Sequence, residues 1–421
     1  MAVFNASAVV PVSLETVQKK LPILFERDDT FFSTIEKRNG EAVSDTAMRI
    51  PLHIRPGGYF GQFNPDGGGL GRGAGPVLDK ATLQTKPYRQ AYEFTAKADW
   101  ATDQGRKATI SAVKKIVADA MPEFRRNLDA QCLTAGDCVL GTVLSVDASG
   151  GKDKYTMSTT DGFGARLLRV GQKVNVYLEN LSALRHSTGQ EVEIEKIDYE
   201  ANIVTITTNV TNAAATDKLL VSGVTGATPA SIFGVPYHHS NASTGTWLGL
   251  NRADYPEIRA NRVNANGAFA LPFARLATNK IGYRLGADRS FKPVAWMNPC
   301  QVAAYEELGQ LVSAIQKSAS DESLNLYFGE GMQLAGCSIR KHFSWNKTRI
   351  DFIVSEVWGR TEMHEMGFYK LNGNYIFPVY STTDGGIVAA NVFYLVAMFN
   401  LFVDQPPACS YIDGLTIPSG Y

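Results

Sequence analysis

The sequence carries no excess charge of either sign: Lys plus Arg number 41 and Asp plus Glu number 41 among 421 residues. A protein that grips duplex nucleic acid by its sequence shows a basic surplus, so that class is disfavoured. Cysteine is scarce. Its five copies form no C-x-x-C pair, which argues against a disulfide framework and a zinc knuckle and leaves free thiols in a reducing compartment. Long apolar runs are nearly missing as well. The one uncharged stretch, IVAANVFYLVAMFNLFV at residues 387–403, lies at the short end of what a bilayer needs. It contains Asn391 and Asn400 and is rich in β-branched and aromatic residues, so it reads as a strand buried on both faces rather than a membrane span. The opening MAVFNASAVVPVSLE has no basic start ahead of its apolar residues, and no secretory signal is expected.

Catalytic signatures are missing too. GLGRGAG at Gly69 has the richness of a phosphate loop, but no GxxxxGK[ST] exists and no strand-to-helix junction follows. His364-Glu365 begins H-E-x-x-H, yet Phe368 stands where the second histidine would complete a zinc site. His238 and His239 are adjacent and would point apart in an extended chain. No G-x-S-x-G occurs, so no catalytic residue, cofactor or metal ligand is assigned.

What the sequence does have is glycine in one place. Residues 56–76, PGGYFGQFNPDGGGLGRGAGP, hold nine glycines between flanks that read as strands. Glycine loses the most backbone entropy on ordering and offers no side chain to pack, so this segment cannot build its own core. Its tip aromatics Tyr59, Phe60 and Phe63 call for support from another protein surface. Asp66 and Arg72 are the segment's only charges, and Arg72 is the expected charge partner across that contact.

The flanks alternate. Met48, Ile50, Leu52 and Ile54 share one face, and Tyr88, Gln90, Tyr92 and Phe94 share another, which predicts a long antiparallel hairpin with the glycine segment at its far end. Before it, Leu14, Val17, Leu21 and Leu24 suggest a short amphipathic helix in an N-terminal arm, broken by Pro22. After it, Ile110, Val113, Val117, Met121, Phe124 and Leu128 form an apolar stripe that predicts a helix over residues 108–133, bent or divided at Pro122. Lys114, Lys115, Arg125 and Arg126 lie off the stripe, on a solvated or intersubunit face. From Lys154 to Gly223 short alternating runs predict a small β-barrel or sandwich, bracketed by Gly150-Gly151 and the glycines from Gly223. Asn298 and Pro299 open a further helix, and turns are expected at Asn372-Gly373 and Gly385-Gly386. The class is mixed α+β.

This order of parts resembles the major capsid protein of tailed bacteriophages, the Hong Kong type of capsid fold. The resemblance runs over nearly the whole chain and is sharpest in WMNPCQVAAYEELGQL from Trp296, GMQLAGCSIRKHFSWNKTRIDFI from Gly331, WGR at Trp358 and NLFVDQPPACSYIDGL from Asn400. It implies an N-terminal arm (1–47), an extended loop over a neighbouring subunit (48–98), a peripheral domain with its spine helix (99–150), an inserted β-barrel domain (151–226), an axial domain (227–390) and C-terminal strands returning to the peripheral domain (391–421).

It further implies a non-enzymatic subunit that assembles with itself into pentamers and hexamers of an icosahedral head enclosing double-stranded DNA. A separate scaffolding protein, a portal protein and a decoration protein are the other expected partners, with no membrane, and the place is the virion after assembly in the host cytoplasm. A non-viral, encapsulin-like shell is the alternative, and a metal-independent enzyme a weaker one. Some relatives join subunits through a Lys to Asn isopeptide bond; Lys80, Lys86 and Asn400 are present, but nothing marks a catalytic Glu, and no crosslink is expected.

Overall fold

In the computed structural model the described residues are 30–38, 42–44, 47–62, 64–66, 71–95, 112–148, 151–160, 162–185, 191–223, 230–286, 291–316, 333–381 and 385–420. The helix expected around Leu14 to Leu24, and the positions of Phe63 and Ile110, lie outside them. The chain divides into two compact units, one of residues 88–126 and 366–397 with the N-terminal stretch, the other of residues 28–87, 127–365 and 398–421.

In the larger unit a six-stranded mixed sheet runs in the order Asn261–Gly267, Ser410–Leu415, Ile350–Ile353, Val294–Met297, Cys337–Lys341, Gln333–Leu334. Its core joins Val263, Met297, Ile350, Phe352 and Ile412 to Ala274 and Ala277 of the helix Leu271–Leu285 and Val302 of the helix Pro299–Gln316. Small residues on the first of these helices let it lie close to the sheet. The second begins as its sequence predicts: Asn298 Oδ1 accepts the Cys300 amide at 3.1 Å, and its Nδ2 donates to the carbonyls of Phe343 and Trp345.

A closed six-stranded barrel occupies the middle of the chain. Its strands are Val139–Asp147, Lys154–Met157, Lys173–Tyr177, Val192–Asp198, Ile203–Ile206 and Lys218–Val221. Tyr155, Val174, Ile194, Val204, Ile206 and Leu219 fill it, each fully buried. The expected turn after Asp198 is present, with Asn202 in the left-handed region at φ 54°. The barrel starts earlier than expected, however. Gly151 is no linker but part of the turn between the first two strands, where Asp147 faces Lys154 and Gly151 has φ 78°; Gly150 lies outside the described residues.

Two further expectations are corrected. The strand Ala47–Arg55 pairs with Val77–Gln84, with Ala47 opposite Gln84 and Ile50 opposite Ala81, not with the run from Tyr88 to Phe94. That run belongs to Lys86–Thr95 and pairs with Ile387–Val403, the uncharged segment, which is a strand. In the smaller unit Tyr92 stacks on Phe393 at 5.2 Å between ring centres and donates its hydroxyl to Glu123 at 2.7 Å. The long helix, Ala112–Cys132, continues through Pro122 without a break. One missing N–H is tolerated where Ala120 and Phe124, both buried, hold the turns around it. Arg126, expected on the solvated face, is only 4% exposed.

Candidate assembly surfaces

The hairpin is anchored at one end and bare at the other. At its root Met48, Ile50, Ala81 and Leu83 are buried with Trp247, Leu248, Leu250, Ile258 and Phe402. Arg55 grips Glu257 with two hydrogen bonds, of 2.6 and 3.2 Å, and Tyr255 donates its hydroxyl to Asp79 at 2.9 Å. The fork geometry makes the first of these directional as well as attractive. Asn400 ties the root to the terminal strand: its Nδ2 donates to the Gln84 carbonyl at 2.7 Å, and its Oδ1 accepts the amides of Phe233 and Leu401. Fully buried and engaged at both ends, Asn400 is not presented to any lysine of a neighbour.

Beyond Arg55 every described residue up to Pro76 is exposed. The Gly58 amide donates to the Ala74 carbonyl at 2.7 Å, and a Cβ on Gly57 would meet that carbonyl oxygen at 2.5 Å, so the two sides of the loop approach as only glycine permits. At the tip Tyr59 is 80% exposed and Phe60 wholly so. Asp66 and Arg72 are exposed, and neither has an ion-pair partner among the described residues. Of the spine positions, Phe124 and Leu128 are buried, Met121 is half-buried and Val117 is exposed; the side chain of Val113 is not among those described.

A second surface was not anticipated. In the smaller unit the strand Ile376–Tyr380 and the start of Ile387–Val403, paired with Tyr380 opposite Ile387, expose Tyr375, Ile376, Tyr380 and Ile387 at 49 to 71%. The expected turn at Asn372-Gly373 lies just before it, with φ 50° and 88°. Exposed apolar residues gathered on one hairpin mark a surface meant to be covered. The signal was available: IFPVY is apolar on both faces, and only one face can meet its own sheet.

Residues from 30 to 38, expected in the arm, are part of the body. Phe31 sits edge-on to Trp296, Trp345 and Trp358, at 5.4 to 5.9 Å between ring centres. Asp129 accepts the Phe32 amide at 2.6 Å and pairs with His342 at 2.7 Å. The three tryptophans are those of the three phrases from Trp296, Gly331 and Trp358, so the residues that carry the resemblance build one aromatic cluster.

Where histidines meet acids, the pairs are buried. His239 pairs with Asp351 at 2.8 Å, and Arg349 and Trp345 also bind that carboxylate, but His239 and Asp351 are buried out of reach of any substrate. The short helix Val235–His238 turns the two neighbouring imidazoles to different partners; both lie against Trp358. The five cysteines are free and buried, and burial raises their thiols, Cys138 to about 11 and Cys409 to about 12. Among the described residues no cluster of three or more His, Cys, Asp or Glu is placed to hold a metal, and no helix is long and apolar enough to cross a membrane.

The whole-chain architecture has solved counterparts. The capsid asymmetric unit of cyanophage A-1(L) superposes with a TM-score of 0.57 at 12% identity, covering 96% of this chain and 98% of that one. The chain has the fold of a tailed-phage major capsid protein. The capsid of a native GTA particle aligns over 98% of this chain and 100% of its own at 12% identity, with a TM-score of 0.48. The SrpI encapsulin complex from Synechococcus elongatus aligns over 100% and 99% at 6% identity, with a TM-score of 0.45. No protein-family model matches the sequence, and no curated protein matches it significantly.

Proposed function

We propose that this chain is the structural subunit of an icosahedral phage head, assembling into pentamers and hexamers that enclose double-stranded DNA. The observation that carries this reading is the bare loop tip on a capsid fold, where Tyr59 is 80% exposed and Phe60 wholly so. A contact between two different patches closes into a ring by rotation, and loops that cross between rings join them into a shell. Val117, exposed on the spine helix, and the apolar hairpin at Tyr375, Ile376, Tyr380 and Ile387 offer further subunit contacts. A separate scaffolding protein, a portal and a decoration protein complete the partner set, in a virion assembled in the host cytoplasm.

Mass measurement and electron microscopy of the chain, purified alone and with its candidate scaffolding protein, test the proposal. Closed particles of many copies are expected in at least one of the two. A stable monomer or dimer in both would overturn it, and particles that enclose a cargo enzyme instead of DNA would move the chain to the non-viral shells.

A further inference from the structure

A pocket of about 380 Å³ beside the helix Leu271–Leu285 is lined by four cations and no carboxylate. They are Arg259, Arg262, Lys280 and Arg284, joined by Asn261 and Tyr283. In a chain of zero net charge this is a local surplus, and the described residues neutralise it only in part. Of the four, only Arg262 is ion-paired among the described residues, to Asp413 at 2.7 Å. The nearby Glu257 is held by Arg55. Arg259 and Arg284 donate instead to backbone carbonyls, of Arg252 at 3.0 Å and of Pro256 and Glu257 at 3.1 Å. Those bonds fix the guanidinium groups in place without cancelling their charge.

Arg252 is buried beside them, at 7% exposure, bound to Ser240 and the Tyr237 carbonyl, with no carboxylate bonded to it among the described residues. Burial pushes both Arg252 and Arg284 below the ordinary guanidinium range; at Arg284 the charge of Glu257 opposes this in part, while the charge of Arg259 adds to it at both. Arg259 Nη1 and Arg284 Nε donate to no described residue, and Lys280 has spent one N–H, on the Arg262 carbonyl. A preorganised cluster of unneutralised donors is what an oxyanion needs.

We propose that this pocket binds a phosphate group, with Arg259, Lys280 and Arg284 supplying donors and the 80%-exposed Tyr283 offering a ring to whatever the phosphate is attached to. The inference does not depend on the shell proposed above. Free phosphate compounds and a nucleic-acid backbone share this chemistry, and competition separates them.

The test is calorimetric titration of the full chain with inorganic phosphate, at an ionic strength held constant with sodium chloride. Saturable binding is expected, weakened about ten-fold or more in Lys280→Glu and less in Lys280→Met, the loss of one charge-assisted contact. Circular dichroism melting of both variants checks that the fold is kept. Displacement of phosphate by a short DNA duplex, lost in Lys280→Glu, would assign the site to a nucleic-acid backbone; phosphate binding that a duplex leaves untouched would assign it to a free phosphate compound. No saturable heat, equal binding in the variants, or succinate bound as tightly as phosphate would overturn the proposal, the last by giving the pocket to protein carboxylates.

Discussion

His238 shows how a single residue's setting decides the protein's acid sensitivity. Its Nδ1 accepts the Trp247 indole N–H at 3.2 Å while Nε2–H donates to the Leu401 carbonyl at 3.1 Å. A second ring proton would face a donor. Burial lowers the imidazole from 6.5 to about 3, and burial lowers His239 as well. The unfolded chain therefore takes up protons that the folded chain refuses, so stability is full above about pH 6.5 and falls as pH drops toward 3. His238 contributes a slope of up to about 1.4 kcal/mol per pH unit in that window, and His239 acts in the same direction. Asp351 acts lower: although burial opposes it, Arg349 and His239 hold its carboxyl below the ordinary value of 3.8, so its contribution is lost only under that pH. Denaturant unfolding of the subunit at pH 7, 6, 5 and 4.5 should show the decline, less steep in His238→Gln. A flat profile across that range would contradict the burial account.

At the scale of elements, the parts most legible in the sequence were those whose signal is local. The stripe through Phe124 and Leu128 predicted the long helix, and Asn298-Pro299 and Asn372-Gly373 marked a cap and a turn with a direct stereochemical reason. Pairing was harder. Val77–Gln84 hides its alternation because only Ala81 and Leu83 are buried, while Asp79 is spent on Tyr255; the stronger alternation from Tyr88 to Phe94 served another sheet. Glycine misled at Gly151, where a hairpin turn and a linker have the same composition. The aromatic cluster around Phe31 was illegible, since it unites residues far apart in the chain.

The hairpin's division into a packed root and a bare tip makes an element-scale prediction. Excising residues 59–75 leaves Arg55 with Glu257, Asp79 with Tyr255 and Gln84 with Asn400 untouched. The melting temperature of the subunit, followed by circular dichroism, should change by no more than a few degrees. Particles in sedimentation should disappear, because each buried aromatic contributes about 1.5 to 3 kcal/mol per copy. Normal particles would refute the anchoring role, and an unfolded subunit would show that the tip packs on its own chain.

For the whole molecule, equal totals of positive and negative charge matter less than where the charges are spent. Arg55 with Glu257, Lys152 with Glu195, Arg185 with Asp217, Arg349 with Asp351 and Arg360 with Glu362 neutralise one another on the surface or beneath it. Each such pair leaves duplex DNA one cation fewer to replace its counterions, whereas Arg259, Lys280 and Arg284 of the pocket, like Arg72 at the loop tip, are not paired with a carboxylate among the described residues. Each phosphate contact steepens the dependence of log K on log salt by about 0.9, so isolated subunits should bind duplex DNA weakly, with a slope no steeper than about −3. Fluorescence anisotropy across a series of salt concentrations measures it. A slope near −6 or beyond would reveal a basic face that holds DNA directly, whereas a shallow one would mean that DNA inside the proposed shell is confined by the wall rather than gripped by it, and that its packing needs work from outside.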